Sequence, residues 1–173
     1  MKKEGNYAFV DTQNLYLGVL SLGWKLDYKK FRIYLKEKYG VTVAYMFMGY
    51  VPTNQALYTM LTSAGYTLIF KPIVHGPDGT IKGNVDAELV LQTMIDFEKL
   101  NKAILVTSDG DFYCLVNHLY KHNKLARVLS PYKIRCSKLL KQAARGELRF
   151  LASLQEKLEY KNKKALLRDR TTQ

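Results

Sequence analysis

Five short apolar or β-branched runs, separated by segments of helical length, constrain this chain more than any other feature. Residues 6–11, 41–50, 66–74, 102–107 and 125–129 read as strands. Between the first two, residues 14–22 start a helix that Gly23 breaks. Asp27 then caps a helix running to Tyr39, with Phe31, Tyr34 and Leu35 on one face and Gly40 closing it. Pro52 opens the next helix, and residues 56–64 carry it to Gly65. The stretch His75-Gly-Pro-Asp-Gly-Thr80 is turn chemistry, and Asn84 stands as the cap of a further helix. In that helix Ala87, Val90, Leu91, Met94 and Ile95 form an apolar stripe. Phe112, Leu115, Val116 and Leu119 make the core face of the helix after the fourth strand, and residues 137–144 suit one more helix. Strands alternating with helices predict an α/β fold: one parallel five-stranded sheet with right-handed crossovers covering both faces. In such a sheet the ligand site lies beyond the carboxyl ends of the strands, where the strand order switches.

The composition removes several classes. Hydrophobic residues make up 47% of the 173, enough to bury a core in one domain without staples. No apolar run approaches the roughly 18 residues that span a bilayer, so no membrane role is expected. The apolar run at residues 7–10 is too short for a secretory core segment and runs straight into Asp11. Cys114 and Cys136 fall on different elements and read as reduced thiols, which predicts a cytoplasmic protein. Lys and Arg number 27 against 15 Asp and Glu, a net charge of +12 with a pI of about 9.6. That surplus favours a polyanionic partner.

The acids are placed where the sheet argument looks for a site. Asp11 ends the first strand, Asp109 and Asp111 follow the fourth, and Asp86 lies in the first turn of the helix leading into the fourth. With the first and fourth strands adjacent, Asp11, Asp109 and Asp111 converge on one edge and Asp86 joins them. Each has a plainer reading alone: Asp111 as a helix N-cap, Asp86 as a complement to a helix dipole, Asp11 as a turn former. Together they repel one another, and a hard divalent cation such as Mg²⁺ or Mn²⁺ resolves that repulsion with oxygen ligands. The same cation supports phosphodiester hydrolysis. Asn14 reads either as a helix cap or as a group orienting a ligand or a metal-bound water. Ser108 offers its hydroxyl either to the site or to the backbone.

Three motifs carry a resemblance. Phe9-Val-Asp-Thr-Gln-Asn-Leu-Tyr16, Lys82-Gly-Asn-Val-Asp-Ala-Glu-Leu-Val90 and Ile104-Leu-Val-Thr-Ser-Asp-Gly-Asp-Phe112 together resemble the NYN domain family, specifically its bacterial LabA-like branch. NYN domains belong with the PIN-like nucleases, and the resemblance covers residues 6–130. It implies a PIN-like sheet of order 3-2-1-4-5 and a ribonuclease dependent on Mg²⁺ or Mn²⁺. It implies that Asp11, Asp86, Asp109 and Asp111 are the catalytic, metal-holding acids and that Asn14 is the Asn of the first motif. Products with a 5′-phosphate and a 3′-hydroxyl are implied as well. Two departures stand out: Thr12-Gln13-Asn14 where many relatives have Gly-Asn-Asn, and Asn84 lengthening the family's Lys-Gly-Val-Asp. Neither removes a carboxylate.

Basic residues supply a partner surface. Lys121, Lys124, Arg127, Lys133, Arg135, Lys138, Lys141, Arg145 and Arg149 face a single acid, Glu147, between residues 121 and 149. They read as a solvated helix surface or as a phosphate track for RNA leading to the acidic edge. Lys71 and Lys82 lie nearer that edge, and Tyr16 and Trp24 are candidates to stack bases. His118 and His122 share a zinc-compatible spacing but lack a third ligand. No phosphate-cradling glycine loop or nucleophile elbow is present, and the Asp-x-Asp of dehalogenase-type phosphatases is replaced by Asp11-Thr-Gln13. The expected organisation is one nuclease domain over residues 1–150 and a basic, helical tail over 151–173. The expected partner is RNA, with a homo-oligomer open to a chain of this composition. A non-catalytic RNA-binding module and a DNA flap-type nuclease are the alternatives.

Overall fold

A computed structural model describes residues 5–72, 74–75, 81–82 and 85–161. In chain order the elements are β1 (Asn6–Asp11), α1 (Thr12–Ser21), α2 (Tyr28–Tyr39), β2 (Val41–Gly49), α3 (Gln55–Ser63) and β3 (Thr67–Lys71). A two-stranded antiparallel hairpin follows, β4 (Val74–His75) with β5 (Ile81–Lys82). Then come α4 (Asp86–Ile95), β6 (Ala103–Val106), α5 (Tyr113–Lys121), β7 (Leu125–Ser130), α6 (Lys138–Ala144), β8 (Leu148–Phe150) and α7 (Gln155–Leu158). The main sheet is parallel, with order β3-β2-β1-β6-β7-β8. Setting the hairpin aside, this is the expected 3-2-1-4-5 order with a sixth strand on the edge. The expected five-stranded count is thus corrected: β8 is three residues long, below the length at which alternation is visible, and it is a strand because β7 pairs with it.

Both faces of the sheet are covered, which explains the uninterrupted apolar runs. Ala8 and Val10 of β1 point to one core, with Leu15 and Val19 of α1, Phe31 and Leu35 of α2, and Leu61 of α3. Tyr7 and Phe9 point to the other, with Leu89 of α4, Leu115, Val116 and Leu119 of α5, and Leu140 of α6. Leu151 and Leu158 also sit in the first core, so the segment beyond residue 150 packs on the domain as far as it is described.

Several local expectations hold. Asp27 caps α2 by accepting the Lys30 N–H, and Gly40 closes that helix at φ 63°, a conformation that favours glycine. Others are corrected. The residue at the N-cap of α4 is Val85; Asn84 lies outside the described residues. Of the α4 stripe only Val90 packs on the core: Leu91 is 61% exposed and Ile95 56%, while Leu89, Thr93 and Asp96 are buried. Trp24 is buried in the first core and is no base-stacking platform. Lys124 is buried too, its ammonium donating to the carbonyls of Phe97 and Leu100, and Arg127 pairs with Glu147. Those two cations therefore leave the proposed phosphate track. Among the described residues, no helix is long and apolar enough to cross a membrane.

Candidate active site

The chain order switches between β1 and β6. From β1 it moves outward through β2 and β3, then returns to the other side of β1 as β6. Val10 pairs with Val106, so Asp11 and Thr107 leave the sheet side by side. Asp11 caps α1 by accepting the Asn14 N–H at 3.1 Å, and its other oxygen accepts the Thr107 hydroxyl at 3.3 Å. Thr107 in turn accepts the Asp109 N–H at 3.1 Å. One buried hydroxyl thereby ties the acid of the first strand to the turn after β6. Sequence reasoning passed over Thr107; its position directly opposite Asp11 was the available signal.

The structure gathers Asp86, Asp109 and Asp111 so closely that one carboxylate oxygen from each lies within 4.8 Å of the others. Asp86 comes from the start of α4, and the other two flank Gly110 in the 3-10 turn Gly110–Phe112. The N-cap of that turn is Asp109, which accepts the Asp111 N–H at 3.0 Å. Asp111 is exposed, and the N-cap position of α5 falls to Phe112, so the N-cap reading of Asp111 does not hold. Asp11 is not one of that trio; it is only 7% exposed and within reach of the charges of Asp86 and Asp109. Its pKa is raised to about 6: burial and the charges of Asp86 and Asp109 push it up, and hydrogen bonds from Asn14 and Thr107 hold it down.

Asn14 is not a helix cap. Its side-chain oxygen accepts the Ser108 N–H at 2.9 Å, bridging α1 to the turn after β6, and its amide lines the cleft. Lys71 pairs with Glu88 at 3.3 Å, and Tyr16 is exposed on α1 outside the cleft lining. The side chain of Lys82 lies outside the described residues. The cleft, about 510 Å³, is lined by Asn14, Ser108, the Asp109–Asp111 turn and, from the segment after β7, Tyr132, Arg135, Ser137 and Leu139. Arg135 belongs to the basic track expected to lead to the acids, whereas Tyr132, Ser137 and Leu139 were missed, although they too follow the carboxyl end of a strand.

The sequence model of the NYN domain matches residues 7–151. This chain belongs to the NYN domain family. Its fold is shared with a protein of unknown function from Vibrio parahaemolyticus, whose crystal structure matches at 25% identity and a TM-score of 0.72, covering 87% of this chain and 96% of that one. A second solved structure, from Clostridium difficile, overlaps at 12% identity and a TM-score of 0.28, covering 68% of this chain and 34% of that one. No curated protein matches. NYN domains belong with the PIN-like nucleases, so membership supports a nuclease or RNA-related function for the acidic cleft.

In this NYN domain the segment after β7 is held by a closed ring of hydrogen bonds. The Tyr132 N–H donates to the Ser108 hydroxyl at 3.2 Å, and the Ser130 hydroxyl donates to the Tyr132 carbonyl at 2.7 Å. Ser130 has one hydroxyl proton, so Ser108 must be the donor in the 2.8 Å bond between the two serines. The Ser108 hydroxyl thus holds the loop. Gly18 of α1 makes room beneath it, because a β-carbon there would stand 2.4 Å from the Pro131 ring. Alanine in mid-helix gains up to about 1 kcal/mol over glycine, whereas overpacking costs about 1–3 kcal/mol. Against a rigid proline ring the overlap wins. Gly18→Ala is expected to destabilise by about 1–2 kcal/mol in urea unfolding; a rise in stability would refute this packing.

Proposed function

We propose that this NYN domain is a metal-dependent ribonuclease of the LabA-like branch, hydrolysing RNA phosphodiester bonds at the acidic cleft. The observation carrying the reading is the meeting of Asp86, Asp109 and Asp111 within 4.8 Å, with buried Asp11 feeling the charges of two of them. The donor set is all carboxylate oxygen, drawn from the start of α4 and the turn after β6, and the charges of Asp86 and Asp109 add to the burial that raises Asp11. That chemistry fits a hard cation of the Mg²⁺ or Mn²⁺ kind. Asp86, Asp109 and Asp111 would hold it, with Asp11 directly or through water. When bound, such an ion stabilises charge on the scissile phosphate and lowers the pKa of water.

The chain's own residues do the rest. Asp11, whose buried carboxyl stands at about 6 before any cation is bound, would help hold the ion or take the proton of the attacking water. Water adds to phosphorus as a carboxylate takes its proton, the P–O3′ bond breaks, and the leaving oxygen takes a proton from solvent, giving a 5′-phosphate and a 3′-hydroxyl. The Asn14 amide, with its oxygen committed to Ser108, presents its NH₂ donors to a phosphate oxygen in the cleft. The two free cysteines, Cys114 exposed and Cys136 buried, fit a reducing compartment such as the cytoplasm.

The test is cleavage of end-labelled RNA with Mg²⁺ or Mn²⁺ beside an EDTA control. Metal-dependent products support the reading. Intact RNA in every metal, with RNA still bound, refutes it in favour of a binding module; products from matched DNA alone refute the RNA assignment. Asp11→Asn, which keeps the acceptor oxygen for the Asn14 N–H, is expected to abolish cleavage. It also tests the buried charge. A carboxyl raised from 3.8 to about 6 by folding leaves the folded state its proton, so its charge costs nothing below pH 4 and most above pH 6. In EDTA the variant should therefore be more stable than wild type by about 1–3 kcal/mol at pH 8, a gap that closes as pH falls from 6 to 4. Equal melting temperatures across that range would show that Asp11 carries no such charge.

A further inference from the structure

The segment between β7 and α6, residues 131–137, is fixed at both ends to the elements that carry the acids, and its middle is open. Pro131 is buried against Gly18, and the Tyr132 backbone is closed into the Ser108–Ser130 ring. At the far end Cys136 is buried in the second core, and the Ser137 N–H donates to the Ser108 carbonyl at 3.2 Å. Ser137 also presses on Gly110, between the two aspartates: a β-carbon there would lie 2.4 Å from its hydroxyl oxygen. Between these anchors Lys133, Ile134 and Arg135 are exposed, Ile134 to 94%.

Three residues of this arm, Tyr132, Arg135 and Ser137, line the acidic cleft. Arg135 is, among the described residues, the only cation in that lining. Tyr132 is the only aromatic there; the edge of its ring lies over Gly18, and the side chain is part-exposed. A guanidinium binds a phosphate by two parallel hydrogen bonds, and a ring held at a cleft wall offers a stacking surface to a base. Bases inside a double helix have both faces covered by their neighbours, so only an unpaired base can use such a ring. A cleft of about 510 Å³ also has the size of a small-ligand pocket, with room for a nucleotide.

We infer that residues 131–137 form a grip for single-stranded RNA, with Tyr132 stacking an unpaired base and Arg135 holding a phosphate next to the one at the acids. The inference rests on the ribonuclease reading of the cleft for its substrate, and it adds strand form as the basis of selection. Both residues are positioning residues that touch the substrate away from the reacting atoms.

The test is fluorescence anisotropy in EDTA, where RNA stays intact, with a fluorescein-labelled single strand and the same strand annealed to its complement. Wild type is expected to prefer the single strand. Tyr132→Ala and Arg135→Ala should each weaken single-strand binding by about 5- to 100-fold and move duplex binding by less than about twofold. Tyr132→Phe, which keeps the ring and the backbone ring of hydrogen bonds, should bind as wild type does. In Tyr132→Trp the new indole should be quenched by the single strand and not by the duplex, against constant emission from buried Trp24. In cleavage assays Tyr132→Ala should raise KM and leave kcat nearly unchanged. Equal binding of both RNAs, or a Tyr132→Ala variant that binds like wild type, overturns the grip even if RNA is cleaved. A protein that prefers single strands through Tyr132 but never cleaves them overturns the nuclease reading and leaves the grip standing.

Discussion

The Asp109→Asn, Asp111→Asn double variant is expected to lose RNA cleavage by roughly 10³-fold or more while keeping its fold. Neither side chain is in a core: Asp109 is part-exposed and Asp111 exposed. Asparagine retains the side-chain oxygen with which Asp109 caps the turn by accepting the Asp111 N–H. What the double change removes is two of the three carboxylates that meet within 4.8 Å. It also alters charge in a direction that separates chemistry from binding. The chain carries +12, and losing two negative charges makes it +14. Association with the RNA backbone should then hold or tighten at low salt, because fewer like charges oppose the phosphates. Cleavage, anisotropy and circular dichroism on the same preparation check all three points. Undiminished cleavage would remove the acids from the mechanism; weaker RNA binding would mean that the carboxylates act in recognition.

Phe112→Ala is the substitution expected to cost the most stability, about 3–5 kcal/mol. Phe112 is fully buried in the second core among residues that include Phe9, Leu115, Val116 and Leu140. It ends the same turn that holds Asp109 and Asp111, so its ring is the weight that seats the acids on the sheet. At about 2–4 °C per kcal/mol for a domain of this size, the melting temperature should fall by about 6–20 °C. Phe112→Leu, which leaves a smaller void, should fall less. A shift of under about 2 °C for the alanine variant would mean that the turn is held from elsewhere, with the Thr107 and Ser108 hydrogen bonds as the alternative anchors.

The two variants probe opposite ends of what was legible from residues alone. Asp109 and Asp111 stood out because they follow a strand-like run at once, and an uninterrupted apolar run buried on both faces is easy to see. The helix that delivers Asp86 was equally visible, but the face it buries was not. Its most apolar stripe, with Leu91, Met94 and Ile95, is exposed, and the core takes Leu89, Thr93 and Asp96 instead. Thr93 and Asp96 are tolerable inside because each finds partners there: Thr93 donates to the Leu89 carbonyl, and Asp96 accepts from Tyr45 of β2 and from Gln92. A hydrophobic pattern cannot register a hydrogen bond supplied by another strand. The same reasoning covers Trp24 and Lys124, each assigned to a surface role by residue type and each buried by its neighbours.

By itself, the sequence determined the local structure and the place to look. Strand runs, the caps at Asp27 and Gly40, and the alternation of elements sufficed for a parallel sheet with acids at its carboxyl edge, because these depend on residues within a few positions of one another. Only the tertiary structure decided how the acids meet and what surrounds them. Thr107 joins Asp11 to Asp109, Gly18 admits Pro131, and the Ser108–Ser130–Tyr132 ring seats Arg135 at the cleft. The contacts of Thr107 and Gly18 with Asp11 and Pro131 span about a hundred residues, and their geometry is set by strand pairing and close packing rather than by local residue preference.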